Sequence, residues 1–332
     1  MIGGCVFAVA LLGSYGFTGW LLRHSFIRTV VDRPNARSSH SLPTPRGGGL
    51  SIVAVTTCGV LILAAAGVVP LRLAGPLVIG GLGVAAVGFR DDIRSVSVTV
   101  RMLAHVGAAL LAACWLGGTG LAEHGLAFAI AAVILRVLTV AWMLNLFNFM
   151  DGIDGLAASE GAFILLGGAA LALVGGSSTL GPALIAGAAC LGFLKWNWPR
   201  AAIFMGDVGS GYLGYTIAVI ALDSAQTSGV NLYAWEMLAA LFLVDATLTL
   251  LRRLLLGRPI FQAHRTHAYQ WLARRWQSHV RVTKAAIGVN LVILFPCAWA
   301  CVRFPQAAPW ICVTVLVLLG ALGLALGSGR PE

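Results

Sequence analysis

The sequence predicts an all-α fold, a polytopic transmembrane helical bundle of about eleven spans. Of the 332 residues, 59% are hydrophobic and only 10% are charged, and the mean hydropathy is +0.89. Soluble domains carry about a quarter charged residues, so this composition excludes a water-soluble fold. Because each membrane crossing needs roughly 20 apolar residues, the whole chain, residues 1–332, is expected to form one integral-membrane domain.

Apolar runs that end at charged residues, glycine or proline mark the individual spans. The first run is followed by Arg23 and His24 and has no basic residue before it, so it reads as a retained span and not as a cleaved signal. The predicted spans are residues 2–22, 48–68, 71–89, 102–118, 125–145, 159–176, 180–195, 210–223, 231–251, 285–304 and 309–327.

The basic residues predict the orientation of these spans. Short cytoplasmic loops collect Lys and Arg, and most of the 22 basic residues fall in the gaps after the first, third, seventh and ninth spans. These gaps should therefore share the cytoplasmic side, which places the N-terminus outside. The same clustering argues against nucleic acid as the explanation for the net charge of +10.

Half of the twelve acidic residues fall in or beside the same gaps, which predicts a site built from several loops on one membrane face. In residues 145–156, NLFNFMDGIDGL, two asparagines precede Asp151 and Asp154. On a helix these two carboxylates would share a face, and a self-capped polar turn is the alternative. The six acidic residues are Asp32, Asp91, Asp92, Asp151, Asp154 and Asp207.

Asp91 and Asp92 directly follow the third span. Adjacent carboxylates raise one pKa and attract a hard cation such as Mg²⁺, although a salt-bridged surface loop would explain the pair equally well. Residues 204–214 contain GxGxxG, but a dinucleotide site requires a preceding strand, and none is expected here. The remaining interpretation is a glycine-rich turn that presents Asp207 at the start of a helix. Backbone amides at that position suit phosphate, and the carboxylate suits Mg²⁺.

Two polar loops carry donors for an anionic ligand. The ninth gap holds His264, Arg265 and His267 without the further ligands of a zinc site, so diphosphate donors fit better. The first gap, which includes Asn35 and Arg46, is either a connector or an anion-binding loop.

Arg136 and Asp245 lie inside predicted spans, where charged groups are costly. Asp245 is close enough to Arg252 along its helix to neutralise it, which predicts structural support. For Arg136 the sequence suggests only a partner inside the bundle or a broken helix.

Taken in order, these segments resemble the polyprenyl-phosphate N-acetylhexosamine-1-phosphate transferases, the superfamily of phospho-MurNAc-pentapeptide translocase and of enzymes that initiate O-antigen synthesis. The resemblance covers residues 30–270, from the loop DRPNARSSH…PTPRGGG to the histidine loop. It implies a transferase of the bacterial inner membrane, with a cytoplasmic active site. Such an enzyme uses Mg²⁺, with Mn²⁺ as an alternative, to move a sugar-1-phosphate from a UDP-N-acetylsugar onto undecaprenyl phosphate, releasing UMP.

The resemblance also implies roles for individual residues. Asp207 and Asp151 would ligate the metal, while Asp91, supported by Asp92, would orient or deprotonate the lipid phosphate. Substrate binding would fall to Asn145, Asn148, Asp154, His264, Arg265, His267, Arg46 and Asn35.

The histidine loop departs from the pattern of many relatives, because His-Arg-Thr-His-Ala-Tyr-Gln replaces nearly contiguous histidines. This variant resembles the branch that uses N-acetylfucosamine or N-acetylquinovosamine phosphate. A homodimer is compatible with the sequence. A polytopic transporter of an anionic solute is the main alternative, but carriers usually bind near mid-membrane, whereas these carboxylates gather at one interface.

Overall fold

The computed structural model describes residues 2–24, 27, 30–32, 43–117, 125–173, 179–227, 229–259 and 264–330. Asn35, one of the predicted substrate-binding residues, lies outside the described residues.

Each predicted span corresponds to a helix in the structure, which confirms the all-α transmembrane bundle. Beyond the helices, the described residues contain one short antiparallel ladder that pairs Val31 with Pro45 and Asp32 with Thr44. The elements are α1 Ile2–Arg23, β1 Val31–Asp32, β2 Thr44–Pro45, α2 Leu50–Ala65, α3 Leu71–Ile93, α4 Val98–Trp115, α5 Leu126–Met150, α6 Leu156–Ala172, α7 Leu180–Asn197, α8 Asp207–Thr227, α9 Leu232–Leu255, α10 Ala268–Trp276, α11 His279–Val289, a π-helical turn Asn290–Leu294, α12 Phe295–Arg303 and α13 Ala308–Leu326.

Seven of the described helices are long and apolar enough to cross a membrane: α1, α3, α4, α5, α9, α13 and the continuous rod His279–Arg303, which joins α11, the π turn and α12. The helices α2 and α6 are apolar but shorter. The predicted ends at residues 89, 145 and 251 are too early, since α3, α5 and α9 continue to Ile93, Met150 and Leu255. Asp91, Asp92, Asn145 and Asn148 therefore lie on the last turns of helices and not in loops.

Helix α8 lies at the centre of the bundle. Every residue from Val208 to Ser224 is buried, and the helix packs against α3 and α5. A helix that is surrounded by protein does not need an apolar surface towards lipid, and small residues allow close helix contacts. This position explains the glycines, serine and tyrosines of its first half.

Successive spanning helices run in opposite directions, so alternate helix ends meet on one face of the bundle, called the site face here. Asp92 at the end of α3 contacts the start of α8, and the ring of Tyr15 in α1 stacks on Trp196 near the end of α7. Helix α10 also lies on this face, because its Tyr269 hydroxyl donates to the Phe149 carbonyl at the end of α5. The predicted aspartate motifs are thereby brought to one side.

Candidate active site

Asp92 fastens the start of α8 to the end of α3. Its carboxylate accepts hydrogen bonds from the backbone N–H of Asp207 at 2.9 Å and of Val208 at 3.1 Å. The first N–H groups of a helix lack partners within the helix, and a negative charge there also complements the helix dipole. Asp92 therefore positions Asp207, and its geometry fits the supporting role predicted beside Asp91.

Close packing of α3 on α8 depends on Gly88. A Cβ atom at this position would lie 2.4 Å from the Asp207 carbonyl oxygen and 2.7 Å from the Val208 nitrogen. No ordinary side chain fits at those distances, so only glycine lets the two helices bring Asp91 and Asp207 together.

Asp91 and Asp207 share one arginine. The Arg101 guanidinium donates to the Asp91 carboxylate at 2.9 Å and to the Asp207 carboxylate at 3.4 Å. Two carboxylates that contact the same nitrogen lie close together, as the predicted site requires. Arg101, at the start of α4, belongs to the basic gap after the third predicted span, and the structure adds it to the site.

Arg46, which follows β2, faces several carboxylates at once. Its Nε lies 3.8 Å from Asp32 and 3.9 Å from Asp92. Burial alone would lower the pKa of Arg46, but the charges of Asp207, Asp92, Asp32 and Asp151 raise it above its ordinary value. The predicted anion-binding loop therefore contributes a cation to the centre of the aspartate cluster, which is formed by Asp91, Asp92, Asp151 and Asp207.

Asp151 and Asp154 lie in a polar turn between α5 and α6 and do not share a helix face. Gly155 caps α6 in the left-handed conformation, with φ of 75°, which glycine adopts without strain. Its N–H donates to the side-chain oxygen of Asn197 at 3.0 Å. Asp154 accepts from the Ala201 N–H at 3.2 Å and thus ties this turn to the loop before α8.

Asp151 is repelled by several neighbouring carboxylates. Burial raises its pKa well above the ordinary value, and Asp207, Asp92 and Asp154 raise it further, while Arg46 opposes them. A proton or a cation at this position would relieve the repulsion between the carboxylates.

The two predicted asparagines lie on the last turns of α5, beside the cluster. Asn148 donates to the Ser210 hydroxyl of α8 at 3.3 Å. Asn145 donates to the Ala141 carbonyl in its own helix at 2.7 Å and also faces the buried His105 imidazole. The structure therefore places both asparagines at the junction of α4, α5 and α8.

The histidine loop meets the cluster on the Asp151 side. The Tyr269 hydroxyl donates to the Phe149 carbonyl at 2.9 Å, two residues before Asp151. His267 is 2% exposed, and its ring lies 5.0 Å from that of His264. Burial lowers the pKa of His267 below its ordinary value, although Asp245 opposes the shift.

The remaining members of this loop lie nearer the surface. His264 is half-buried and hydrogen-bonds Thr266 at 3.0 Å, and the Arg265 carbonyl accepts from Arg274 at 3.0 Å. Of the two histidines, His264 is therefore the more accessible to a substrate.

Asp245 does not have the partner that the sequence suggested. It was expected to neutralise Arg252, but Arg252 instead donates to the Ser328 carbonyl at 3.0 Å. The Asp245 carboxylate accepts from the N–H groups of Ala268 at 2.8 Å and Tyr269 at 3.1 Å. It still gives structural support, because two unpaired helix N–H groups attract a carboxylate more directly than an arginine about two turns away.

The carboxylates fit a magnesium ion that is shared with a substrate. Within the described part of the chain, no group of three or more His, Cys, Asp or Glu side chains is arranged to hold a metal unaided. Mg²⁺, however, is usually held by one or two carboxylates together with substrate phosphates and water. Asp207 and Asp151 supply such a pair of oxygen donors, and the charge of Asp207 lies close enough to raise the pKa of Asp151 beyond the larger effect of burial.

Comparison with known proteins gives the family. A sequence model described as glycosyl transferase family 4 matches residues 75–225, a range that contains Asp91, Asp151 and Asp207. A phospho-N-acetylmuramoyl-pentapeptide-transferase of Saccharopolyspora erythraea is 30% identical over 269 residues, which are 65% of this chain and 74% of that protein. The chain belongs to glycosyl transferase family 4.

Other relatives of this family 4 chain match it over most of its length. A probable undecaprenyl-phosphate N-acetylglucosaminyl 1-phosphate transferase of Bacillus subtilis is 29% identical over 94% of this chain and 88% of its own length. A decaprenyl-phosphate N-acetylglucosaminephosphotransferase of Mycolicibacterium smegmatis is 27% identical over 82% of this chain and 75% of its own. These relatives confirm the resemblance that the motifs indicated, and they mark this multi-pass membrane protein as an enzyme.

Proposed function

We propose that this family 4 member transfers an N-acetylhexosamine-1-phosphate from a UDP-sugar to undecaprenyl phosphate, with release of UMP. The observation that carries the proposal is the convergence of Asp91, Asp151 and Asp207 on one face of the bundle, around Arg46 and Arg101. Carboxylates and arginines in one place suit a reaction between two phosphates. A transporter would not need this interfacial cluster, so the family and the geometry both favour the transferase.

The reaction joins two anions. An oxygen of the lipid phosphate attacks the β-phosphorus of the donor, and a new P–O bond forms there while the bond from the β-phosphorus to the oxygen bridging to the α-phosphorus breaks. UMP leaves with that oxygen. Arg46 and Arg101 offset the repulsion between the substrates, and Asp91 aligns the acceptor phosphate or holds its proton.

Magnesium, when bound at Asp207 and Asp151, would supply charge stabilisation on the UMP leaving group. Asn148 and Asn145 adjoin this pair and suit the donor nucleotide or sugar. His264 and Arg265 suit the donor diphosphate from the opposite side, where the histidine loop meets the turn at Asp151.

The finer details of the proposal rest on the sequence. The His-Arg-Thr-His-Ala-Tyr-Gln loop favours N-acetylfucosamine or N-acetylquinovosamine phosphate as the transferred group and an O-antigen or related surface glycan as the product. The basic loops on the site face favour a cytoplasmic active site in the bacterial inner membrane.

The test is UMP release by the purified full-length protein with undecaprenyl phosphate and a panel of UDP-N-acetylsugars, with Mg²⁺, Mn²⁺ or EDTA. We expect release with at least one sugar and loss of release in EDTA. Uptake of the same sugars into protein-containing vesicles without UMP release would overturn the proposal in favour of transport.

Single-turnover measurements distinguish the roles of Asp91 and Asp207. Asp91→Asn should slow the chemical step by about 100-fold or more, with nucleotide binding little changed, and Asp207→Asn should abolish transfer at saturating Mg²⁺. Near-normal single-turnover rates in both variants would remove the carboxylate cluster from the mechanism.

A further inference from the structure

An apolar groove runs along the outside of the bundle, away from the aspartate cluster. It lies between α6, α7 and the rod formed by α11, the π turn and α12, with a volume of about 370 Å³. Ala162, Leu166, Leu191, Leu291 and Phe295 contribute to its walls, and Leu291 is 58% exposed. In a transmembrane bundle such an outward-facing groove opens towards lipid.

The one amide on the groove wall is bound within the protein. Asn290, at the start of the π turn, donates to the buried Glu160 carboxylate at 2.6 Å. This hydrogen bond directs the amide N–H into the bundle, and Asn290 is only 1% exposed. The outward wall is therefore apolar and suits a hydrocarbon chain.

At the site face the groove continues into a second, basic cavity of about 490 Å³. The two cavities share Leu191 and Leu194, and Lys195 and Arg200 line the second one. Lys284 lies one turn before Ile287, on the α11 face that lines the groove. The only two lysines of the chain, Lys195 and Lys284, therefore stand at the same end of the groove on opposite walls.

The length of the groove matches one leaflet of a bilayer. From Ile287 to Phe295, and from Ser159 to Ala170, its walls span roughly 12 to 17 Å at the helical rise of about 1.5 Å per residue. Half of a hydrocarbon core is about 15 Å. An acyl chain of the site-face leaflet would fit, with its headgroup beside the cations.

We propose that this groove binds an anionic phospholipid, with one acyl chain between α6, α7 and α11–α12 and the headgroup phosphate against Lys195, Lys284 and Arg200. Basic residues at the membrane surface attract anionic lipid headgroups, whereas a zwitterionic lipid gains little from them. The site lies outside the aspartate cluster and does not depend on the transferase proposal.

The test is native mass spectrometry of the full-length protein in detergent with phosphatidylglycerol or phosphatidylcholine of identical acyl chains. The natural protein should retain phosphatidylglycerol about tenfold more strongly. Lys195→Gln combined with Lys284→Gln should remove that preference, and Ala170→Trp, which fills the groove, should weaken retention of both lipids.

The matched control is the double variant Arg258→Gln with Arg275→Gln, which removes two site-face cations that lie away from the groove. This variant should keep the preference for phosphatidylglycerol. Equal retention of both lipids by the natural protein, an unchanged preference in the double lysine variant, or a dimer that covers the groove without lipid would overturn the proposal. UMP release measured on the same preparations is a separate readout, so lost lipid binding with normal turnover leaves the transferase proposal intact.

Discussion

Two buried aspartates, Asp92 and Asp245, perform the same task at different places. Each accepts hydrogen bonds from the first two N–H groups of a helix, Asp92 at α8 and Asp245 at α10. Buried unpaired N–H groups are costly, and a carboxylate satisfies two at once while complementing the helix dipole. Residues that read as catalytic or charge-neutralising in the sequence therefore also hold the loops of the site in place.

Asp92→Asn should destabilise the protein by about 1–2 kcal/mol, because an amide cannot accept both N–H bonds at the start of α8. Thermal unfolding in detergent measures the loss. Asp32→Asn is the matched control, since both carboxylates lie at similar distances from Arg46 Nε and Asp92 makes the capping bonds to α8. Equal destabilisation by the two changes would contradict the capping role.

Asp245→Asn should loosen α10 and the histidine loop, because one of the N–H groups of Ala268 and Tyr269 loses its acceptor. Limited trypsin digestion at Arg265, Arg274 and Arg275 should become several-fold faster. Glu236→Gln, an exposed change at the other end of α9, serves as the control and should digest like the natural protein. Unchanged digestion of the Asp245 variant would show that α10 does not depend on this carboxylate.

At the scale of helices, the site depends on how closely α3, α5 and α8 approach. Gly88 of α3 lies against the Asp207 carbonyl, and a Cβ at Gly214 of α8 would lie 2.3 Å from the Met143 carbonyl of α5. Backbone contacts of this kind leave no flexible side chain to move aside. The positions of Asp91 and Asp207 are consequently set by helix packing and not by their own loops.

Gly88→Ala should separate the end of α3 from the start of α8. Overpacking of this type costs about 1–3 kcal/mol, and we expect a larger relative loss of UMP release than of thermal stability. Gly83→Ala on the same helix, where a Cβ would meet nothing within 4 Å, is the control. If both variants turn over substrate alike, close helix approach does not control the site.

At the scale of the whole molecule, alternating helix direction collects most aspartates, most arginines and α10 on one face, while Asp223 pairs with Arg72 at the other. Two single cysteines, placed in a background without the seven natural cysteines, test the orientation of the bundle. Pro305→Cys lies between α12 and α13 on the face opposite the site, and Arg94→Cys lies between α3 and α4 on the site face. An impermeant maleimide added to intact cells should label the first and spare the second, which becomes reactive only in inverted vesicles. The reverse pattern would place the site face outside and contradict the orientation taken from the basic loops.

The sequence alone determined the class of fold and that the motifs gather on one common side of the bundle. A backbone in hydrocarbon must satisfy its own hydrogen bonds, so each apolar run becomes a helix, and alternate gaps necessarily share a face. Segments with fixed local chemistry, such as Asp91-Asp92 and the glycine-rich turn before Asp207, were recognisable because their residues are neighbours in the chain.

Only the tertiary structure decided which residues act on one another. Asp92 caps a helix 115 positions further along, Arg101 joins Asp91 to Asp207, Tyr269 braces the turn at Asp151, and Asp245 binds α10 and not Arg252. No local pattern encodes these pairs, because each arises where the ends of separate helices meet. That meeting is set by the close packing of the helices in the bundle, a property of the whole chain and not of any one segment.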